Sequence, residues 1–409
     1  MADVKIRAAS QPVPIVLDLT QTAHCPASTG VQRMCRHALA AFTETGAEPT
    51  ALIADSYARR WRPPVMSECA LLATSASEHP ATHRSEIWTP GQILCGYLRW
   101  VPKTNWTALR GAPLLAMEIF SPRVFAAYAT LRENLASTSA AIFYDTVALR
   151  FPELAPPEAV ERTHAYLREL TSFDGVAAIS ESSRADLLKY WCDSGLQNTP
   201  PVTVISPGFE KPVDPPQPPP TPGPDGPLIL SVGTIEGRKN HLALLDAAET
   251  LWNEGRRFRL VLAGLHRPQT ASAALGRAKE LCAKGRPLEI PGPLPDSRIE
   301  ELYAACHFTV YPSLYEGFGM PVIESLLRHR PCICGTGGAL AQAASEGGCV
   351  AIMQPDVLNL AQAIRSLLDD PVLHTRLITE AAGRRAPTWQ NFAGEILTWI
   401  GTLHRKNQS

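Results

Sequence analysis

The sequence has no excess of positive charge: 38 lysines and arginines stand against 39 aspartates and glutamates. A duplex nucleic-acid binder needs a basic face to replace phosphate counterions, so no nucleic-acid partner is expected. No run of about 18 apolar residues occurs, so no bilayer-spanning helix is expected either. The opening stretch MADVKIRAAS holds no apolar signal core. The ten cysteines contain no Cys-x-x-Cys pair and the eleven histidines are dispersed, so no metal site is expected. Cys95, Cys192, Cys282 and Cys306 sit in apolar stretches and are expected to be buried free thiols of a reducing, cytoplasmic compartment. Cys332 and Cys334 fall in one apparent strand and are expected on opposite faces of it.

What is present suits two folded units. The chain has 409 residues, 45% of them hydrophobic and 19% charged, enough to fill two cores rather than one. Residues 211–227, KPVDPPQPPPTPGPDGP, cut it near the middle. Proline lacks a backbone N–H and fixes φ, so this run reads as a semi-extended linker. The expected organisation is a first domain over 1–210, the linker, and a second domain over 228–386. A closing helix over 387–409 is expected to pack back on the first domain.

Short apolar runs alternate with helical patterns in both halves. In the second half strands are expected at Pro227–Val232, Phe258–Gly264, Leu288–Ile290, Phe308–Tyr311, Cys332–Cys334 and Val350–Met353. In the first half they are expected at Pro14–Leu19, Ala51–Ala54, Leu114–Phe120, Ala141–Tyr144, Val176–Ile179 and Val202–Ile205. Alternation of this kind predicts an α/β fold with two Rossmann-like, doubly wound parallel sheets facing a cleft. Ligands of such sheets bind beyond the carboxyl ends of the strands.

Three loops fall at that edge of the second sheet. In Tyr311-Pro-Ser-Leu-Tyr-Glu316-Gly317-Phe318-Gly319-Met320-Pro321-Val-Ile-Glu324, glycines allow close backbone approach and a helix start offers free N–H groups to an anion. Glu316 and Glu324 bracket the loop as hydroxyl acceptors, which suits a nucleotide sugar. A tight turn with acidic residues favoured by the helix dipole is the alternative. In Gly233-Thr-Ile-Glu-Gly237-Arg238-Lys239-Asn240, two cations at a helix start call for a diphosphate, or form a solvated basic turn. Asn240 is expected to cap that helix. Cys334-Gly335-Thr336-Gly337-Gly338 is the third loop. Ser297-Arg298-Ile299-Glu300 has the spacing of a capping box.

In the first half, Gly30, within Ser28-Thr29-Gly30-Val31-Gln32-Arg33, either enters a helix or faces the other domain's ligand. Asp145 ends a strand as a turn residue or as a cleft carboxylate. Ser180-Glu181-Ser182-Ser183-Arg184 reads as a helix cap. Arg59-Arg60-Trp61-Arg62 is either a solvated loop or a contact with anionic lipid.

The pair SVGTIEGRKNHLALLDA and YPSLYEGFGMPVIESL resembles the donor half of glycosyltransferase family 4, retaining enzymes of GT-B fold. The Glu-x7-Glu spacing of Glu316 and Glu324 is the most specific mark. The resemblance extends through CGTGGALAQAA and APTWQNFAGEIL, and into TGVQR, FYDTVALRFPE, AISESSRADL and VISPGFE of the first half. It implies that Arg238 and Lys239 hold a donor diphosphate and that Glu324 binds the ribose. Glu316 with the Gly317, Phe318, Gly319 and Met320 segment would hold the transferred sugar. Backbone near Leu294 would meet the base, Gly233 would line the phosphate turn, Gly30 would approach the phosphates, and Asp145 would sit near the reacting centre. The sequence departs from the family where Thr234 replaces a frequent Arg, Tyr144 a frequent His and Gln342 a frequent Glu.

The implied reaction is transfer of a hexose with retention from a nucleotide sugar, GDP-mannose as first choice, without a cofactor and without metal, since Asp-x-Asp is absent. A rhamnosyl- or other hexosyltransferase using a dTDP-, GDP- or UDP-sugar is the alternative. The implied acceptor is a saccharide or lipid-linked glycan of bacterial surface polysaccharide, met in the cytoplasm or at the inner membrane face. An epimerase, a phosphorylase and a non-catalytic binding subunit of the same fold are the other readings.

Overall fold

The computed structural model describes residues 13–27, 29–73, 88–120, 122–210, 212 and 219–406. The opening MADVKIRAAS, Ser28, and 211 and 213–218 of the proline-rich run lie outside the described residues.

Each half builds its own sheet. The first contains β1 (Val13–Asp18), β2 (Ala47–Asp55), β3 (Arg60–Arg62), β4 (Leu114–Ala116), β5 (Ser139–Phe143), β6 (Gly175–Ala178) and β7 (Val202–Val204). Their order is β3-β2-β1-β4-β5-β6-β7. The second contains β8 (Leu228–Val232), β9 (Arg259–Ala263), β10 (Leu288–Gly292), β11 (Phe308–Tyr311), β12 (Cys332–Gly335) and β13 (Cys349–Ile352), in the order β10-β9-β8-β11-β12-β13. Pairing is parallel except for β3, which runs antiparallel to β2 at the edge. In both sheets the strand order reverses beside the first strand, between β1 and β4 and between β8 and β11. Such switch points open a crevice at the carboxyl edge.

Burial follows the two-residue pleat on both faces. Ile15 and Leu17 enter one core of the first domain and Val16 the other. Ile229 and Leu230 divide the same way in the second domain. The pleat also corrects the cysteine expectation: Cys332 and Cys334 share one cluster and Ile333 points to the opposite one. Residues two apart in a strand lie on the same face. The thiols of Cys25, Cys35, Cys306, Cys332 and Cys334 are buried, but Cys192 and Cys282 are exposed and Cys95 is half-buried. Cys192 and Cys282 end helices Glu181–Asp193 and Pro268–Ala283 on their outer sides.

Local readings differ in instructive places. The helix expected to open at Ser297 starts at Asp296, with Pro295 as its N-cap. Asn240 precedes helix His241–Asn253 in a left-handed conformation, and its amide donates to the Pro355 carbonyl at 2.7 Å instead of capping. Trp61 and Arg62 are buried in β3 rather than solvated. Helices Met66–Ala73, Pro90–Tyr97 and Pro371–Ala382 were not legible in the sequence.

The last helix, Trp389–Lys406, returns to the first domain. Phe392, Ala393, Ile396, Ile400 and Leu403 join the core that holds Ile15 and Phe42. Trp389 stacks on His37 with ring centroids 5.2 Å apart.

Candidate active site

The three second-domain loops are stitched together by their own backbones. Leu314 N–H donates to the Arg238 carbonyl at 2.9 Å, and Glu316 N–H to the Gly337 carbonyl at 3.3 Å. Ala339 N–H returns to the Glu316 carbonyl at 3.0 Å. Glycine is required here: a Cβ on Gly337 would stand 1.9 Å from the Leu314 carbonyl oxygen, and one on Gly338 2.3 Å from that of Glu316. The loops after β8, β11 and β12 therefore make one surface at the switch point.

That surface carries a buried ionic cluster. The Glu316 carboxylate receives Arg238 Nη1 at 2.8 Å, Lys239 Nζ at 2.6 Å and the Tyr311 hydroxyl at 3.1 Å. Lys239 also donates to the Tyr311 hydroxyl, with its Nζ 4.5 Å from the ring centroid. Glu236 holds Arg238 Nη2 at 2.8 Å from the other side. Burial alone would raise the Glu316 pKa, but Arg238 and Lys239 outweigh it and hold the carboxyl at about 2. Burial disfavours the Arg238 charge as well, yet Glu316, Glu236 and Asp145 raise it above the ordinary arginine value. Lys239 lies below the ordinary lysine range, because burial exceeds the attraction of Glu316. Lys239 is 8% exposed, so it is no solvated turn residue.

The first domain closes on this cluster. A Cβ on Gly317 would stand 2.7 Å from the Tyr144 carbonyl oxygen and 2.9 Å from Asp145 Cβ. The Gly317 carbonyl accepts from Ser180 Oγ at 2.6 Å and Ser183 Oγ at 3.0 Å. Ser180 is also the N-cap of helix Glu181–Asp193. Asp145 accepts the Val147 N–H at 3.0 Å, and burial raises its pKa against the pull of Arg238. Phe318 stacks on Phe209 at 5.9 Å, and Phe318 and Met320 pack against the first-domain core. Their side chains therefore fasten the domains, leaving backbone for a ligand. The Tyr144 hydroxyl is used up on the Met117 carbonyl at 2.5 Å.

Glu324 is met from across the cleft by Arg33, Nη1 to Oε1 2.9 Å. Glu324 raises the Arg33 pKa above the ordinary value, and Arg33 Nε has no hydrogen-bond partner among the described residues. Arg33 stands one turn beyond Gly30, the first residue of helix Gly30–Glu44, where a Cβ would meet open space. The motif TGVQR contained this residue, but only the fold shows its partner. Gly233 contributes backbone, with φ +151° and its N–H on the Ala263 carbonyl at 2.9 Å. Leu294 packs on the cluster of Leu228 and Tyr303. Gln342 is exposed.

A second crevice marks the first sheet's switch point. It holds about 890 Å³ and is lined by Asp18, Tyr57, Trp88, Glu118 and Phe120 among others. Glu118 accepts the Gln21 and Thr22 N–H groups, each at 2.6 Å. Burial, then repulsion from Asp18, lifts its pKa to about 8. Neither acid was singled out by sequence reasoning, because each looks like an ordinary strand end. Among the described residues no group of three or more His, Cys, Asp or Glu stands where it could hold a metal ion.

Residues 217–384 match the family described as Glycosyl transferases group 1. The O-antigen chain mannosyltransferase B of Escherichia coli is 31% identical over 163 residues, 40% of this chain and 42% of that protein. The alpha-D-kanosaminyltransferase of Streptomyces kanamyceticus is 27% identical over 178 residues, 43% of this chain and 45% of that one. Such alignments span less than half of these relatives' own length. Sucrose-phosphate synthase from Thermosynechococcus elongatus superposes with a TM-score of 0.64 at 19% identity, over 96% of this chain and 99% of that chain. Anabaena HepE in complex with UDP-glucose superposes at 0.66 with 14% identity, over 95% of this chain and 99% of that chain. The chain has the GT-B fold, and its residues 217–384 match the glycosyl transferases group 1 family.

Proposed function

We propose that this protein is a glycosyltransferase that moves a hexose, with retention, from a nucleotide sugar to a glycan or lipid-linked saccharide. The observation that carries the proposal is the Glu316–Arg238–Lys239 cluster at the second-domain switch point, faced by Asp145, with Arg33 of the Gly30 helix paired to Glu324. As a sugar–phosphate bond breaks, negative charge grows on the departing diphosphate. Arg238 and Lys239 are fixed in place beforehand, so little reorganisation opposes their stabilising that charge. Glu316 would accept hydroxyls of the transferred sugar, and Glu324 those of the ribose.

Both carboxylates already have cationic partners. Donor binding therefore exchanges partners: the diphosphate takes up part of the Arg238 and Lys239 charge, and the ribose displaces Arg33 from Glu324. Mannose from GDP-mannose is the donor we favour, because several matched relatives are named as mannosyltransferases. The O-antigen relatives favour a surface polysaccharide as acceptor, in the cytoplasm or at the inner membrane face.

The test is a thermal-shift series with GDP, UDP and dTDP, followed by assay of diphosphate release with the matching sugar nucleotide and acceptor. A nucleotide at about 100 times its Kd should stabilise the chain by about 2.7 kcal/mol. No shift with any of the three would overturn the donor assignment. Activity should survive EDTA, and its loss with restoration by magnesium or manganese would contradict a metal-independent reaction.

A further inference from the structure

Three thiols meet on one face of the second sheet. Cys332 and Cys334 lie in β12, and Cys349 opens β13 as the direct neighbour of Cys332 in the parallel register. All three pack with Val322, Leu326 and Leu340. Cys332 and Cys334 are buried and Cys349 is half-buried, so of the three only Cys349 is reached by solvent.

The surroundings favour a thiolate on Cys349. Hydrogen bonds from the Cys332 and Cys334 thiols, with the charge of Arg384, outweigh burial and Glu380 and hold its pKa at about 5. Burial pushes the Cys332 thiol well above its ordinary value. Arg384 is itself buried and fixed, its Nη2 on the Ala343 carbonyl at 3.1 Å and its Nη1 beside Glu346 at 2.9 Å. A thiolate beside a fixed cation is the nucleophilic form of cysteine, and an adjacent thiol can resolve its first oxidation product.

The two strands can also approach. Among the described residues β13 is the last strand of its sheet, so it can shift without breaking another strand pair. Gly347 and Gly348 lead into it with φ +92° and +79°. Neighbouring strands stand about 4.8 Å apart, whereas the Cβ atoms of a disulfide lie about 3.8 Å apart. Closure therefore draws Cys332 and Cys349 together by about 1 Å. β12 runs on into the third glycine loop, where the Gly337 carbonyl takes the Glu316 N–H at 3.3 Å and Ala339 N–H returns to the Glu316 carbonyl at 3.0 Å.

We propose that Cys349 and Cys332 form a reversible oxidation site for a hydroperoxide, and that closing their disulfide loosens the loop that holds Glu316. The Cys349 thiolate attacks one peroxide oxygen, the O–O bond breaks, and the departing hydroxide takes a proton from solvent. The Cys332 sulfur then attacks the Cys349 sulfenic acid. The S–S bond forms as the S–O bond breaks, and the hydroxyl leaves as water with the Cys332 proton. Two electrons pass from the sulfurs to the peroxide. If the proposed transfer reaction holds, oxidation lowers turnover, but the thiol chemistry does not depend on it.

The experiment treats the reduced full chain with hydrogen peroxide, blocks the remaining thiols and maps peptides by mass. Trypsin leaves residues 329–365 in one piece, and cleavage at Glu346 parts Cys332 and Cys334 from Cys349. The expected result is loss of two hydrogens from that peptide, a bridge spanning Glu346, and reversal by dithiothreitol. The bridge should persist in Cys334→Ala and vanish in Cys332→Ala and Cys349→Ser. In the bridged chain the Glu316 and Ala339 amides should exchange hydrogen about two- to tenfold faster, the scale of one weakened hydrogen bond. A bridge confined to Cys332 and Cys334, or oxidation only at the exposed Cys69, Cys192 and Cys282, overturns the proposal. So does a bridge that leaves both amides unchanged. Hydrogen exchange reads the loop without nucleotide. A reduced chain that binds none of GDP, UDP and dTDP would therefore count against the function proposed above and leave this test intact.

Discussion

Each domain buries an ionic cluster, and the two are built to opposite ends. In the first, Arg62 bonds Asp55 at 2.7 Å and Glu68 at 2.7 and 2.8 Å, with every one of these side chains 0–1% exposed. His24 bonds Glu68 at 2.9 Å and the Thr20 carbonyl at 2.7 Å, while the Val65, Tyr57 and Ala58 amides complete the carboxylates' shells. Burial would raise the Glu68 pKa, but its bonds from Arg62 and His24 hold it at about 2. Nothing is left over for a ligand.

In the second cluster the Arg238 side chain stays 21% exposed and faces the cleft, and across that cleft Arg33, at 29%, has an Nε without a partner among the described residues. A closed network fixes a lobe. An incompletely closed one, with its charges turned to a crevice, can exchange partners. The difference lies in exposure and completeness rather than in residue type, because both clusters combine arginine with glutamate.

The comparison can be broken most directly at Arg62. Arg62→Ala leaves two buried carboxylates short of their cation and should cost about 3–5 kcal/mol of stability. Urea denaturation measures it, and a loss below that of any second-cluster variant would erase the distinction. Lys239→Ala should act the other way round. Turnover should fall about 10²–10³-fold, or about 2.7–4 kcal/mol of barrier. Its stability cost should stay below that of Arg62→Ala, since Arg238 still pairs with Glu316. Turnover within threefold of wild type would remove Lys239 from the phosphate site.

Acid should strain both clusters alike. The folded pKa of about 2 for Glu68 and for Glu316 lies below the ordinary 4.5. Their charged forms therefore stabilise the fold fully above the ordinary value, and that contribution fades as pH falls toward 2. Each carboxylate contributes about 3 kcal/mol to this acid limb. Glu68→Gln and Glu316→Gln should each flatten the decline in melting temperature across that window, and an unchanged profile would contradict the assignment.

The smallest effect should separate the carboxylates of the second cluster's cleft. Glu324→Gln should weaken nucleoside diphosphate binding and raise donor KM, because ribose contacts persist from ground state to transition state. Glu316→Gln should bind the diphosphate nearly normally and lose kcat. Arg33→Met frees Glu324 and should tighten nucleotide binding about three- to tenfold, the scale of a partly exposed ion pair. Titration calorimetry decides it. Weaker binding would instead make Arg33 a ligand for the nucleotide. If Glu316→Gln lost nucleotide affinity while Glu324→Gln kept it, ribose and sugar would be placed backwards.

Much of this was legible in the chain. Strands showed as apolar runs because a doubly covered parallel strand buries both faces. The glycine loops were legible because close backbone approach leaves no room for a Cβ, as at Gly337. Less visible were the antiparallel edge strand β3 and the helices Met66–Ala73 and Pro90–Tyr97. They are short, and their apolar residues face solvent as often as core, so no helical or strand period marks them.

The sequence by itself determined the two-sheet plan, the glycine-bearing loops at one sheet edge, and the Glu316 and Glu324 spacing. These rest on local chemistry: periodicity, turn geometry and the absence of side chains where backbones must meet. Only the tertiary structure decided which charges pair. Arg33 and Glu324 lie in different domains and meet only when the cleft forms, and nothing in the Arg59–Arg62 run tells which arginine is solvated. The fold buries Arg62 because Asp55 and Glu68 satisfy it there, and leaves Arg59 outside because no such partners among the described residues reach it. A buried charge is tolerated only where its partners are fixed around it, and that is a property of distance in space, not of position in the chain.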